Sequence, residues 1–282
     1  MNKIVLATDF SDHAENALEY AIALASEMGA ELILFHSVGI PTTNTDMLVN
    51  PLSLLEKISQ DRLDNLVKEV EEAIAEHGFN PIPVRATVKA GFPSENIVQF
   101  ATDEGADLLV VGTHGVSPGV QFLKGSTSAE VARRAQCPVL AVPTDAQAKP
   151  IHKMVFAADL GQVSKSSMRP IEVMAEAFDS EVRVLHVIPP KEHFSPSTFE
   201  EYKSNFRDKC EADKISFHLF ETDYNRVAEA IQDYAEFEGA DLVVMTSRPR
   251  NLIRRLFNPS ETSRMCLASN VPILILHGND SK

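Results

Sequence analysis

At 282 residues the chain exceeds the roughly 100–200 residues of one domain, so two domains, each with its own core, are expected. A net charge of −14 excludes the basic stripe of a nucleic-acid surface, and no apolar run reaches the roughly 20 residues of a membrane-spanning helix. The three cysteines, Cys137, Cys210 and Cys266, show no metal-ligand spacing, which predicts reduced thiols in the cytosol and no disulfide framework.

The opening MNKIVLATDF holds a short apolar run that stops at Asp9 without a small-residue cleavage site. It reads as a first strand, residues 3–8, and not as a signal peptide. Ala14, Leu18, Ala21, Ala25 and Met28 then recur at helical spacing, with Ser11 as N-cap and Gly29 as C-cap. Residues 31–38 read as a second strand. A longer helix is marked by Leu55, Leu63, Leu66, Val70 and Ile74 and closed by Gly78. A third strand is expected over 83–88, a short helix around Ile97 and Ala101, and two last strands over 107–111 and 138–142. The strands are nearly continuous Val, Ile, Leu and Ala, as in a parallel sheet covered on both faces.

The pattern then repeats. KIVLATDFS from Lys3 returns as KMVFAADLG from Lys153, 150 positions on, whereas EGADLLVVGT from Glu104 returns as EGADLVVMTS from Glu238, 134 positions on. The second copy is therefore 16 residues shorter, lost between its second and fourth strands. The seam is the polar stretch Thr144 to Pro150, which gives domains of 1–145 and 151–278. Strand–helix alternation predicts an α/β class, two tandem doubly wound parallel sheets, with ligands beyond the carboxyl ends of the strands at the switch point.

One stretch carries chemistry. The fourth strand runs into Gly112-Thr113-His114-Gly115, and Gly125-Ser126 opens the next helix. Glycines after a strand serve equally as plain turns or as a cradle where a ligand approaches the backbone. A helix start offers unpaired N–H groups and the positive dipole end to phosphate, and Thr127 and Ser128 add hydroxyls. Asp9 ends another predicted strand. In the second copy the positions matching Gly112, Gly115 and Gly125 are Thr246, Pro249 and Pro259.

Gly-x2-Gly-x9-Gly-Ser, with the ATDFS opening and the CPVL strand, resembles the universal stress protein family in its ATP-binding branch, twice in tandem over nearly the whole chain. The resemblance implies Rossmann-like, adenine nucleotide alpha hydrolase-like domains of five parallel strands in order 3-2-1-4-5. It implies pairing of the two domains through the last strand, with a homodimer as a further arrangement. It also implies that Ala7, Thr8 and Asp9 lie near adenine and ribose, with Ser37 contacting adenine through its backbone. Val111, Gly112, His114 and Gly115 would line the ribose and phosphate side, and Gly125, Ser126, Thr127 and Ser128 would hold the phosphates. The cofactor implied is ATP, or AMP or ADP, with Mg²⁺ or Mn²⁺ on the phosphates. The second copy, with proline removing an N–H from its cradle, is not expected to bind ATP in the same manner.

The remaining signals read as structural. His36 and His186 occupy equivalent strand positions and are expected to be hydrogen-bonded and not metal-bound. Cys137 reads as a core thiol. Arg248, Arg250, Arg254 and Arg255 read as a solvated face paired with carboxylates. No GxSxG elbow and no Walker lysine is present. The expectation is a cytoplasmic stress-response protein in which ATP acts mainly as a conformational ligand. One alternative is a slow ATPase or phosphotransferase, with Asp9 as the only obvious carboxylate base. The other is a nucleotide-free scaffold or sensor whose loop is vestigial.

Overall fold

Ile4, Val5 and Leu6 are all apolar and fully buried, which makes Lys3–Ala7 (β1) an interior strand of a two-sided sheet. The computed structural model describes residues 1–39, 51–113, 127–158, 164–188, 195–222, 227–246 and 271–277. After β1 come α1 (Asp12–Met28), ended by Gly29 in the left-handed region at φ 61°, and β2 (Glu31–Val38). α2 (Pro51–Glu76), β3 (Val84–Ala90), α3 (Pro93–Asp103), β4 (Leu108–Thr113), α4 (Thr127–Arg134) and β5 (Val139–Pro143) complete the first unit. All pairings are parallel, in the order β3-β2-β1-β4-β5.

The second unit repeats the plan with β6 (Lys153–Ala157), α5 (Lys165–Phe178), β7 (Glu181–Ile188), α6 (Pro196–Arg207), β8 (Ile215–Glu221), α7 (Val227–Glu238), β9 (Leu242–Thr246) and β10 (Ile273–Leu276). Its order, β8-β7-β6-β9-β10, is the same 3-2-1-4-5 pattern, again all parallel. The doubly wound fold expected from the repeat is therefore present in both halves.

The cores differ in their aromatic packing. In the first unit Phe35 stacks on Phe100 with ring centres 4.2 Å apart. In the second, Phe206 of α6 meets Phe156 at 5.7 Å and Phe217 edge-on at 5.6 Å. Most of the shortening of the second copy falls in one helix: α6 has 12 residues where α2 has 26.

Several sequence expectations shift. The third strand runs over 84–90, and the apolar stripe of α2 is buried only from Leu63 onward. Leu55 is 38% exposed, beside Leu54 at 52% and Ile58 at 53%. The reason is length: 26 residues of helix at about 1.5 Å each outrun strands of 8 residues at about 3.3 Å each. No helix among the described residues is long and apolar enough to cross a membrane.

In each unit the chain leaves strand one toward strand two and leaves strand four toward strand five. The crossovers therefore part between β1 and β4, and between β6 and β9. In the first unit that opening, at the carboxyl ends, lies at the residues singled out from the sequence.

Candidate functional site

Ala7 pairs with Val111 in register, so the ends of β1 and β4 emerge side by side. The turn after β1 is held by its own side chains. Phe10 N–H donates to Thr8 Oγ1 at 3.0 Å, and Asp9 Oδ1 accepts from Ser11 N–H at 3.1 Å and from Ser11 Oγ–H at 2.5 Å. Partial burial pushes the Asp9 pKa up, but the Ser11 hydrogen bonds outweigh it and hold the carboxyl below its ordinary value. Asp9 is thus an exposed, oriented and ionised carboxylate. Ser11 occupies the expected N-cap position of α1 but makes no side-chain cap bond, because its hydroxyl is spent on Asp9.

The residue that gives the turn its shape was not singled out from the sequence. Phe10 adopts φ 61°, the left-handed region that costs a non-glycine residue about 1–2 kcal/mol. Its ring packs on His36 with centres 4.7 Å apart, and the Arg62 guanidinium lies 4.1 Å from its centre. No Gly or Asn marks the position, so no local sequence signal points to it.

His36 ties the turn to β2 through Nδ1 and the Thr8 carbonyl at 2.7 Å. His186 does the same at the matching place, with the Ala158 carbonyl at 3.1 Å. Both histidines are hydrogen-bonded, as expected.

Gly112 closes β4, and the structure gives its glycine a second reason. A Cβ there would stand 2.7 Å from the His13 carbonyl carbon and 3.1 Å from the Ala14 nitrogen. The first turn of α1 occupies the space that the sequence assigned to a ligand. That turn is pinned from the other side: Asn16 Nδ2 donates to the Pro143 carbonyl at 2.7 Å, and His13 bonds to Thr144 Oγ1.

At the start of α4, Ser128 Oγ donates to the Gly112 carbonyl at 2.8 Å, which brings the helix start against the end of β4. Thr127 beside it is exposed. Ala7, Thr8, Asp9, Val111, Gly112, Thr127 and Ser128 therefore gather around the β1–β4 opening. Ser37 stands one strand over, and its hydroxyl accepts from Asn96 Nδ2 at 2.8 Å. His114, Gly115, Gly125 and Ser126 lie outside the described residues, as do Asp159, the match to Asp9 in the second copy, and Pro249, Pro259, Cys266 and the four arginines of that copy.

Among the described residues no activated thiol stands out. Burial pushes the Cys137 thiol up to about 11, which keeps it protonated at neutral pH.

A family model described as the universal stress protein family matches residues 1–143 and again residues 150–277. A universal stress protein of Thermus aquaticus is 38% identical over 141 residues, covering 49% of this chain and 96% of that protein. The universal stress protein YxiE of Bacillus subtilis is 30% identical over 145 residues, covering 50% of this chain and 98% of that one. The crystal structure of a universal stress protein from Archaeoglobus fulgidus covers 100% of this chain and 98% of its own, with a TM-score of 0.77 at 18% identity. At that identity the likeness is one of fold.

Proposed function

Because the chain belongs to the universal stress protein family, with both halves matched, we propose that its first unit binds an adenine nucleotide, ATP foremost, at the carboxyl ends of β1 and β4. One arrangement supports this above all others. An ionised carboxylate, Asp9, and a helix start, that of α4, meet across the switch point of a doubly wound sheet. An acceptor-only carboxylate suits ribose hydroxyls. The amino end of α4, with Gly125 and Ser126 just before it in sequence, suits phosphates.

Among the described residues no three His, Cys, Asp or Glu side chains converge on one point. A Mg²⁺ or Mn²⁺ ion at this site would be held mainly by the phosphates, with Asp9 as a candidate carboxylate. Asp9 is also a weakened base, since its pKa is held below the ordinary value. That favours a nucleotide acting as conformational ligand in a stress-response protein over one turned over rapidly. The second unit, with Pro249 and Pro259 at the matching positions, forgoes the N–H groups of a cradle.

The test is to denature the purified protein and identify the released nucleotide by chromatography. About one adenine nucleotide per chain supports the reading, and two per chain contradicts the asymmetry. Gly125→Ala and Ser126→Ala should each abolish ATP binding; unchanged binding would mean the loop is vestigial. Turnover with excess ATP and Mg²⁺ separates ligand from substrate.

A further inference from the structure

α1 and α2 leave a cavity of about 510 Å³ between them, within the range of about 300–1,000 Å³ typical of small-molecule sites. Its floor is apolar, with Leu18 and Ile22 from α1 and Leu66 and Val70 from α2. Both helices follow parallel strands, so they run side by side in the same direction from the carboxyl edge of the sheet. Arg62 marks the level of the Phe10 turn at the top, 4.1 Å from the Phe10 ring centre. Glu69 follows seven residues along α2, and Glu19 eight residues after Ser11 on α1. At about 1.5 Å per residue, Glu69 lies about 10 Å along α2 from Arg62 and Glu19 about 12 Å along from Ser11. Glu19 and Glu69 both line the cavity, one from each helix, with Glu15 a turn above Glu19.

The three carboxylates are exposed, and no ion pair among the described residues engages them. Glu15 and Glu19 form an i,i+4 like-charge pair on one face, an arrangement that weakens a helix until a cation relieves it. Against three carboxylates the cavity wall sets one guanidinium, and that one lies on the Phe10 ring. Among its described residues the second unit packs the matching region differently. There α6 is short, and its buried Phe199, Tyr202 and Phe206 pack on the sheet, with Phe206 reaching Phe156 of β6.

We propose that the α1–α2 groove is a second binding site, for a small organic cation with an apolar body. The cationic group would sit between Glu19 and Glu69, and the apolar body would cover Leu18, Leu66 and Val70. Charge complementarity selects this occupant. An anion, nucleotides included, meets three carboxylates, and a second copy of this chain brings its own charge of −14. The site does not rest on the nucleotide reading.

The test uses rhodamine 6G, a fluorescent aromatic monocation, titrated by anisotropy against the full chain, which has no tryptophan. Saturable 1:1 binding is expected, weakened about tenfold or more by the double change Glu19→Gln/Glu69→Gln. Leu66→Phe, which fills the floor, should block it. Far-UV circular dichroism should match the parent protein and Tm should not fall for either variant, since the glutamates are exposed, the Glu19 change relieves a like-charge pair, and the leucine stays apolar. Gly125→Ala should leave rhodamine binding unchanged, which separates this site from the nucleotide site. The anionic dye 8-anilinonaphthalene-1-sulfonate should fail to displace rhodamine. Undiminished binding to the double glutamine variant, displacement by the anionic dye, or no saturable binding up to about 1 mM would each overturn the proposal. So would binding of a basic amphipathic peptide in place of the dye.

Discussion

The two units agree at the amino ends of their strands and part company at the carboxyl ends. At the amino edge Asp107 accepts from the N–H groups of Asn2 and Lys3, and Asp241 accepts from those of His152 and Lys153. Lys3 reaches the Glu104 carbonyl as Lys153 reaches that of Glu238. Even the arginine clamp recurs, from a different strand. Arg85 of β3 bridges Glu31 and Glu104, while Arg183 of β7 bridges Glu181 and Glu238. At the carboxyl edge, among the described residues, the histidine tie recurs, as does the bond from the residue after strand one to strand two, Thr8 N–H to the Phe35 carbonyl and Ala158 N–H to the Leu185 carbonyl, but the surroundings differ. Thr246 stands at the position matching Gly112, α5 starts at Lys165 where the match to Asp12 is residue 162, and α2 is more than twice the length of α6. The amino edge answers to the stability of the sheet, which both units need. The carboxyl edge is free to diverge because only there does a doubly wound sheet meet a ligand.

The largest effect is expected from Gly112→Ala. The obstructing atoms are backbone, so the added methyl must displace the first turn of α1. A loss of about 3 kcal/mol or more in urea unfolding is expected. Thr246→Gly, the reverse exchange in the second unit, should cost only about 1 kcal/mol. Equal small effects would show that the glycine is not required by α1.

The amino edge sets the next effect. Arg183 is 18% exposed and Arg85 38%, so Arg183→Ala should cost about 2 kcal/mol and Arg85→Ala about 1 kcal/mol. The pH dependence has a definite sign. The Arg183 guanidinium holds the Glu181 carboxyl below its ordinary value near 4.5, and Arg85 with Lys3 does so for Glu104. A depressed carboxylate stabilises the fold fully above that ordinary value, and the contribution is lost as pH falls through the lower folded value. The gap between parent and variant should therefore be wide at pH 7 and close below about pH 4. A gap that persists in acid would assign the effect to packing.

The inner strands were legible because they are short apolar runs bounded by polar residues. Glu31–Val38 was read to the residue, and Gly29 was read as the helix stop it is. What was not legible depends on distant neighbours. The apolar spacing of Leu55 and Ile58 matches that of Leu63 and Val70, and only the length of the strands decides which turns of α2 are covered. Gly112 signalled close approach correctly, but the approaching group in the described structure is the His13 backbone, about 100 residues away in sequence. Phe10 gave no signal at all, since its left-handed turn is imposed by Thr8, Asp9, Ser11 and His36 together.

The smallest effect separates scaffold from ligand contact within α4. Ser128 spends its hydroxyl on the Gly112 carbonyl, a bond that joins two elements of the first unit. Ser128→Ala should lower stability by about 1 kcal/mol. Thr127, exposed at the first position of the helix, should tolerate alanine within about 0.5 kcal/mol. If the nucleotide reading holds, ATP affinity should follow the opposite ranking. Thr127→Ala then weakens binding with stability intact, and Ser128→Ala weakens it only as far as the helix start loosens. Identical behaviour of the two variants in both assays would remove the case for phosphate contact by the Thr127 hydroxyl and leave the start of α4 a purely structural feature.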